Sequence, residues 1–185
     1  MKRRTLPGFL IFAVFALAAC DAAVDEDMIS ATPVSALEFS DAQKAAEICG
    51  RNAPNWTAAE TALKASGYLE TTDERLLGIQ RSQRAVILES PTSDVLVLLG
   101  SRGGEGACFV GSEGLTPQQS FELALPWVRQ FGALTNEERG QGLANNAVQA
   151  WGTLTDDLIV YIAAYKTWDV LGAPGAASRL LYIAR

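Results

Sequence analysis

RAVILESPTSDVLVLLGSRGGEGACFVG, residues 84–111, is the stretch whose reading decides the fold. Residues 84–90 are a short run rich in Val, Ile and Leu, and Pro91, Thr92, Ser93 and Asp94 after it are turn formers. Residues 94–100, DVLVLLG, are apolar almost throughout, the pattern of a central strand covered on both faces. The glycine-rich stretch 101–106 turns the chain again, and ACFVG (107–111) makes the third strand. Strands joined by turns this short pair as an antiparallel meander.

A second set of strands closes the chain: AVQAWGT (147–153), DLIVYIAAYK (157–166) and SRLLYIAR (178–185). In the middle one, Leu158, Val160, Ile162 and Ala164 face one way, and Ile159, Tyr161, Ala163 and Tyr165 face the other. Helical spacing appears upstream of each set. Ser40 and Gln43 have capping-box spacing, Ala42, Ala45, Ala46 and Cys49 share a face, and Gly50 reads as a left-handed stop. Thr57 and Glu60 repeat the box before a second helix that Gly67 ends. Thr116, Pro117 and Gln119 open a third, with Phe121, Leu125 and Val128 along one side and Pro126 expected to kink or split it. The polar segment 135–145 reads as a loop with a helical turn. The fold class is therefore α+β: an antiparallel sheet of about six strands with helices on one face. The helix-then-three-strands order occurs twice, which suggests a duplicated unit without any residue-level repeat.

The N-terminus sets the expected compartment. Lys2, Arg3 and Arg4 precede an unbroken apolar run from Phe9 to Ala19, too short to span a bilayer at roughly 20 residues. Leu17, Ala18, Ala19 and Cys20 together resemble the lipobox of bacterial lipoproteins. The resemblance covers only these first twenty residues. It implies cleavage between Ala19 and Cys20, diacylglyceryl attachment to the Cys20 thiol and acylation of the new amine. Two or more acyl chains hold a protein stably on its leaflet. The expected organisation is a signal peptide at 1–19, the lipidated cysteine with a flexible acidic tether at 20–39, and one domain at 40–185. The lipid anchor would face the periplasm. Asp21 after the cysteine resembles an inner-membrane retention signal.

The chain carries 15 Lys and Arg against 21 Asp and Glu. Three of the basic residues lie in the signal, so the mature part carries 12 against 21, a net −9. Such a domain is repelled by phosphate backbones, which argues against nucleic acid as a partner. With Cys20 assigned to lipid, Cys49 and Cys108 remain, and two cysteines in an oxidising compartment pair. The bridge would close a loop of nearly sixty residues and contribute about 4 kcal/mol in the chain-entropy model.

The chain contains no histidine, which removes serine–histidine and cysteine–histidine catalysis and the common zinc sites. Residues 100–106 lack the glycine-lysine-serine/threonine end of a phosphate loop and lie between two strands. Asp156 and Asp157 are adjacent and so point to opposite faces of a strand, and Glu137 and Glu138 form a similar pair. Thr61 and Lys64 have hydroxyl–lysine spacing but read as an exposed helix face, and Arg81, Arg84 and Arg102 could gather on the meander. Trp127 and Trp151 read as core. Trp168, Val170 and Leu171 form an apolar loop, a candidate contact surface or a cover for the sheet. No catalytic residue, metal site or cofactor is expected. The reading is a non-catalytic binding or accessory module of the envelope, with a protein partner or a small ligand. The alternative is a histidine-free enzyme such as a carboxylate-based glycan hydrolase, which needs two carboxyl groups ~5–9 Å apart.

Overall fold

The alternating and apolar runs become strands where the sequence places them. The structure is a computed structural model that describes residues 36–83, 85–102, 105–135, 147–154, 158–167 and 175–184. The residues read as a signal, Cys20, Asp21 and the stretch read as a tether up to residue 35 lie outside these residues. So do Arg84, Glu137, Glu138, Asp156, Asp157 and the loop carrying Trp168, Val170 and Leu171.

In chain order the elements are α1 (Ala36–Asn52), α2 (Trp56–Ala65), β1 (Leu69–Glu70), α3 (Glu74–Gln83), β2 (Ala85–Glu89), β3 (Leu96–Arg102) and β4 (Glu105–Ser112). Then come α4 (Pro117–Phe131), β5 (Leu134–Thr135), β6 (Ala147–Leu154), β7 (Leu158–Tyr165) and β8 (Ala176–Ala184). All pairings are antiparallel, in the spatial order β1-β2-β3-β4-β8-β7-β6-β5. The six expected strands are the long ones, and two-residue strands are added at each edge.

The sheet repeats itself about its centre. β1 pairs β2 as β5 pairs β6, and each meander then runs inward to β4 and β8, which pair with each other. Following the registers outward to inward, Leu88 matches Trp151, Val97 matches Ile162, and Cys108 matches Ser178. The central ladder pairs Cys108 with Leu180 and Val110 with Ser178, two pairs that exchange under this matching. The pair Phe109 with Arg179 therefore sits on the pseudo-two-fold axis. The helix-to-edge turns repeat as well. Gly67 and Gly132 both have positive φ, 98° and 58°, and the next amides, of Tyr68 and Ala133, bond back to Leu63 and Val128 carbonyls. The duplicated unit is thus a property of the backbone pairing, although the side chains have diverged.

The helix layer of α1, α2 and α4 shares one core with the inward face of the sheet, from Leu88, Val97 and Leu99 through Cys108, Val110 and Leu180 to Val160 and Ile162. Ala42, Ala45, Ala46 and Cys49 are the buried face of α1, as their spacing requires. Cys49 and Cys108 stand with Cα atoms 6.3 Å and sulfurs 2.02 Å apart, a disulfide-capable pair inside this core.

Several local expectations are corrected. α1 starts at Ala36, so the last four residues read as tether are helical and Ser40 is inside the helix. Gly50 is also inside α1, which continues to Asn52. Its role is close approach: a Cβ there would lie 2.8 Å from the Trp127 ring. Trp127 reaches from α4 to donate its indole N–H to the Ala46 carbonyl at 2.8 Å, and Gln130 donates to the Gly50 carbonyl. The cap of α2 is Asn55, whose side chain accepts from the Ala58 amide, and not Thr57. The Thr116–Gln119 capping box is present in full. Pro126 sits on the exposed side of α4, which is one continuous helix from Pro117 to Phe131.

A fourth helix, α3, lies before the meander in a stretch to which the sequence assigned no element. Asp73 opens α3, its side chain accepting from the Arg75 amide. Leu76 and Ile79, one turn apart, cover the opposite face of the sheet over Ile87, Leu98 and Phe109. Gln80 of α3 accepts from the Ile87 amide, which closes part of the outer edge of β2. Helices thus flank both faces of the first half.

Candidate functional site

Three short segments meet at the end of the sheet near the β2–β3 turn: the first turn of α3, residues 90–96, and Glu113 after β4. They enclose an open cleft of about 630 Å³. Its walls carry Asp73, Glu89, Asp94 and Glu113 with one cation, Arg75, and the hydroxyls of Ser90, Thr92 and Ser93. Leu76 and Leu96 form the apolar floor.

The hydroxyl wall is held from the far side by a single carboxylate. Asp41 on α1 accepts at one oxygen from Ser90 Oγ at 2.7 Å, Thr92 Oγ1 at 2.7 Å and Ser93 Oγ at 2.8 Å. Burial alone would push the Asp41 carboxyl up, but the three hydroxyls and Lys44 together hold it below its usual range. The Ser90 amide bonds to the Val95 carbonyl at 2.9 Å and closes the turn. Tyr68 donates to the Asp41 carbonyl at 2.8 Å, and burial first, then the Asp41 charge, pushes its phenol above the ordinary value. The turn is therefore pinned in one shape before any ligand arrives, the condition for cheap recognition.

The acidic wall is partly paired. Arg75 bonds Asp73 at 2.9 Å, and that contact holds the Asp73 carboxyl low and the Arg75 guanidinium high, with Glu113 contributing to the latter. Glu89 accepts from the Thr71 hydroxyl. The cleft thus offers carboxylate acceptors and hydroxyls suited to a cationic or hydroxyl-rich group. Among the described residues no group of three or more His, Cys, Asp and Glu side chains is arranged to hold a metal. No described helix is long and apolar enough to cross a membrane.

Of the residues singled out from sequence, Cys49 and Cys108 are brought together in the core. Trp127 and Trp151 are core residues as read, and Trp56, which had no assignment, joins them over Gly106. Thr61 bonds only back to the Thr57 carbonyl, and Lys64 pairs with Glu60 at 2.7 Å and with Glu70, so that pair is an exposed helix face. Arg81 is exposed on α3. Cys20, Ala19 and the Trp168, Val170 and Leu171 loop lie outside the described residues. The cleft itself was missed. Its turn was legible as Pro91–Asp94, but its two other walls and its clamp, Asp41, come from distant parts of the chain.

No family model matches this chain, and no curated protein or solved structure is found to be similar to it.

Proposed function

We propose that this chain is a lipid-anchored lipoprotein of the bacterial cell envelope that faces the periplasm and works as a non-catalytic binding or accessory module. The anchor rests on Leu17, Ala18, Ala19 and Cys20, and Asp21 favours the inner membrane. The bonding position of Cys49 and Cys108 is what an oxidising compartment would use. The observation that carries the binding role is the cleft, with its hydroxyl wall held in place by Asp41. Its occupant is a cationic or hydroxyl-rich group of a small ligand or of an envelope protein, since the lining is rich in carboxylates.

The glycan-hydrolase reading has one observation in its favour: Asp73, Glu89, Asp94 and Glu113 line the same cleft. It needs a carboxyl with a raised pKa as general acid. Two of the four are already engaged, Asp73 with Arg75 at 2.9 Å and Glu89 with the Thr71 hydroxyl, which suits a fixed acceptor wall, so binding is the better reading.

A photo-crosslinking side chain at the exposed Thr92, in cells making the full chain, tests the role. The same probe at exposed Thr61 on α2 is the control. An adduct specific to position 92 is the expected result, and equal or absent labelling at both positions would overturn it. Labelled fatty acid taken up by wild type and not by Cys20→Ser tests the anchor separately.

A further inference from the structure

The pseudo-two-fold makes one difference between the halves visible on the sheet face away from α1, α2 and α4. Leu96 of β3 matches Tyr161 of β7, and Phe109 of β4 matches Arg179 of β8. The first half fills these positions with carbon and covers them with α3. The second half puts two hydrogen-bond donors there. Arg179 stacks its guanidinium over the Phe109 ring, 4.8 Å from the centroid. Arg179 lies opposite Ala163, two residues along β7 from Tyr161, so the two side chains are diagonal neighbours within reach of each other. Among the described residues the Arg179 Nε–H and the Tyr161 hydroxyl are buried with no acceptor within hydrogen-bond distance, and Tyr161 is only 7% exposed.

A buried donor with no acceptor costs free energy, and folded proteins hold few of them. Two such donors side by side are deficient in the same thing, an acceptor. Tyr161 stays protonated at neutral pH: burial first, and then the charge and the hydroxyl of the neighbouring Tyr165, which lies beyond hydrogen-bond distance, push its pKa up to about 12, with Arg179 pulling the other way. It can therefore donate and not only accept. We propose that Arg179 and Tyr161 form a binding site for a single carboxylate group, one oxygen taking the Arg179 Nε–H and the other the Tyr161 hydroxyl. The planar guanidinium edge matches a carboxylate, and a monoanion is cheaper to bury than a phosphate dianion beside an acidic protein. This site lies on the opposite face of the sheet from the α1–α2–α4 core and stands independently of the cleft proposal.

The test is a titration of the full chain in detergent with sodium acetate, following the Arg179 Nε–Hε resonance at constant ionic strength in chloride. A saturable shift with acetate, absent with chloride alone, is the expected result. Tyr161→Phe should weaken acetate binding about tenfold while leaving the ligand-free protein as stable as wild type or more so, because an orphaned hydroxyl is removed. Arg179→Lys, followed through the Tyr161 ring resonances, should abolish saturation. A peptide with a free C-terminal carboxylate and its amidated form separate the two sources. Tighter binding of the free-acid peptide than of acetate would point to a chain end, and equal affinity to a free small acid. No saturable shift with any carboxylate, a tighter response to inorganic phosphate, or unchanged acetate binding in Tyr161→Phe would overturn the proposal.

Discussion

The two halves of the sheet fasten their helices by different chemistry at the same place. In the first half, α1 meets the central strand β4 through Cys49 and Cys108. In the second, α4 meets β8 through the Ser178 hydroxyl, which donates to the Ser120 carbonyl. Cys108 and Ser178 occupy matching register positions, so the comparison isolates what each helix brings. The buried face of α1 is mainly Ala42, Ala45 and Ala46. That of α4 includes Leu123, Ala124 and Trp127. At roughly 25 cal/mol per Å² of apolar surface, alanines contribute little and a Trp contributes much. A helix that buries little needs a covalent tie, and a helix that buries more is held with hydrogen bonds added, from Ser178 to the Ser120 carbonyl, from Ser120 to the Tyr165 carbonyl and from Thr153 to the Phe131 carbonyl.

Breaking the tie of the first half should have the largest effect. The double change Cys49→Ser and Cys108→Ser is expected to lower stability by about 4 kcal/mol, measured by urea unfolding. A loss under about 1 kcal/mol would mean that α1 holds itself without the bridge.

Next comes packing. Gly106 of β4 lies beneath Trp56, where a Cβ would fall 1.4 Å from the indole nitrogen. Gly106→Ala should cost about 1–3 kcal/mol by overpacking. The matching residue in β8 is already Ala176, and Ala176→Gly should cost only about 1 kcal/mol. Equal losses at the two positions would contradict the claim that the halves differ here.

Ser178→Ala removes one tie of the second half, the bond to the buried Ser120 carbonyl. The expected loss is about 1–2 kcal/mol, well below that for the bridge.

The smallest effect is at the cleft. Asp41→Asn keeps an acceptor for the three hydroxyls but removes the charge, with an expected loss of about 1 kcal/mol or less at neutral pH. The pH dependence carries the sign. The folded pKa of Asp41 lies below its unfolded value, so its contribution is present above the unfolded pKa and is lost as pH falls through the folded one. Stability measured from pH 6 down to pH 2 should therefore fall less steeply in Asp41→Asn than in wild type. Parallel curves would show that the hydroxyl cluster does not depend on charge.

The sheet was legible because its signal is local. Val97 and Leu99 against Leu96 and Leu98, and Val160 and Ile162 against Tyr161 and Ala163, alternate as a strand must. The capping box at Thr116 and Gln119 was legible for the same reason. Helix α3 was not, since its apolar content is little more than Leu76, Leu77 and Ile79, which a short strand could also use. Gly50 was misassigned because a glycine needed for a neighbour's ring looks, in sequence, like a helix stop. The clamp at Asp41 depends on hydroxyls about fifty positions away, and the orphaned donors of Tyr161 and Arg179 depend on strand register. Neither leaves a mark within a local window.

Native-state hydrogen exchange of the full chain, before and after reduction of Cys49 and Cys108, tests the difference between the halves most directly. The expected result is that amides of α1, from Ala36 to Asn52, lose protection on reduction while those of α4, from Pro117 to Phe131, keep theirs. Equal loss of protection in the two helices, or no loss in α1, would contradict the account.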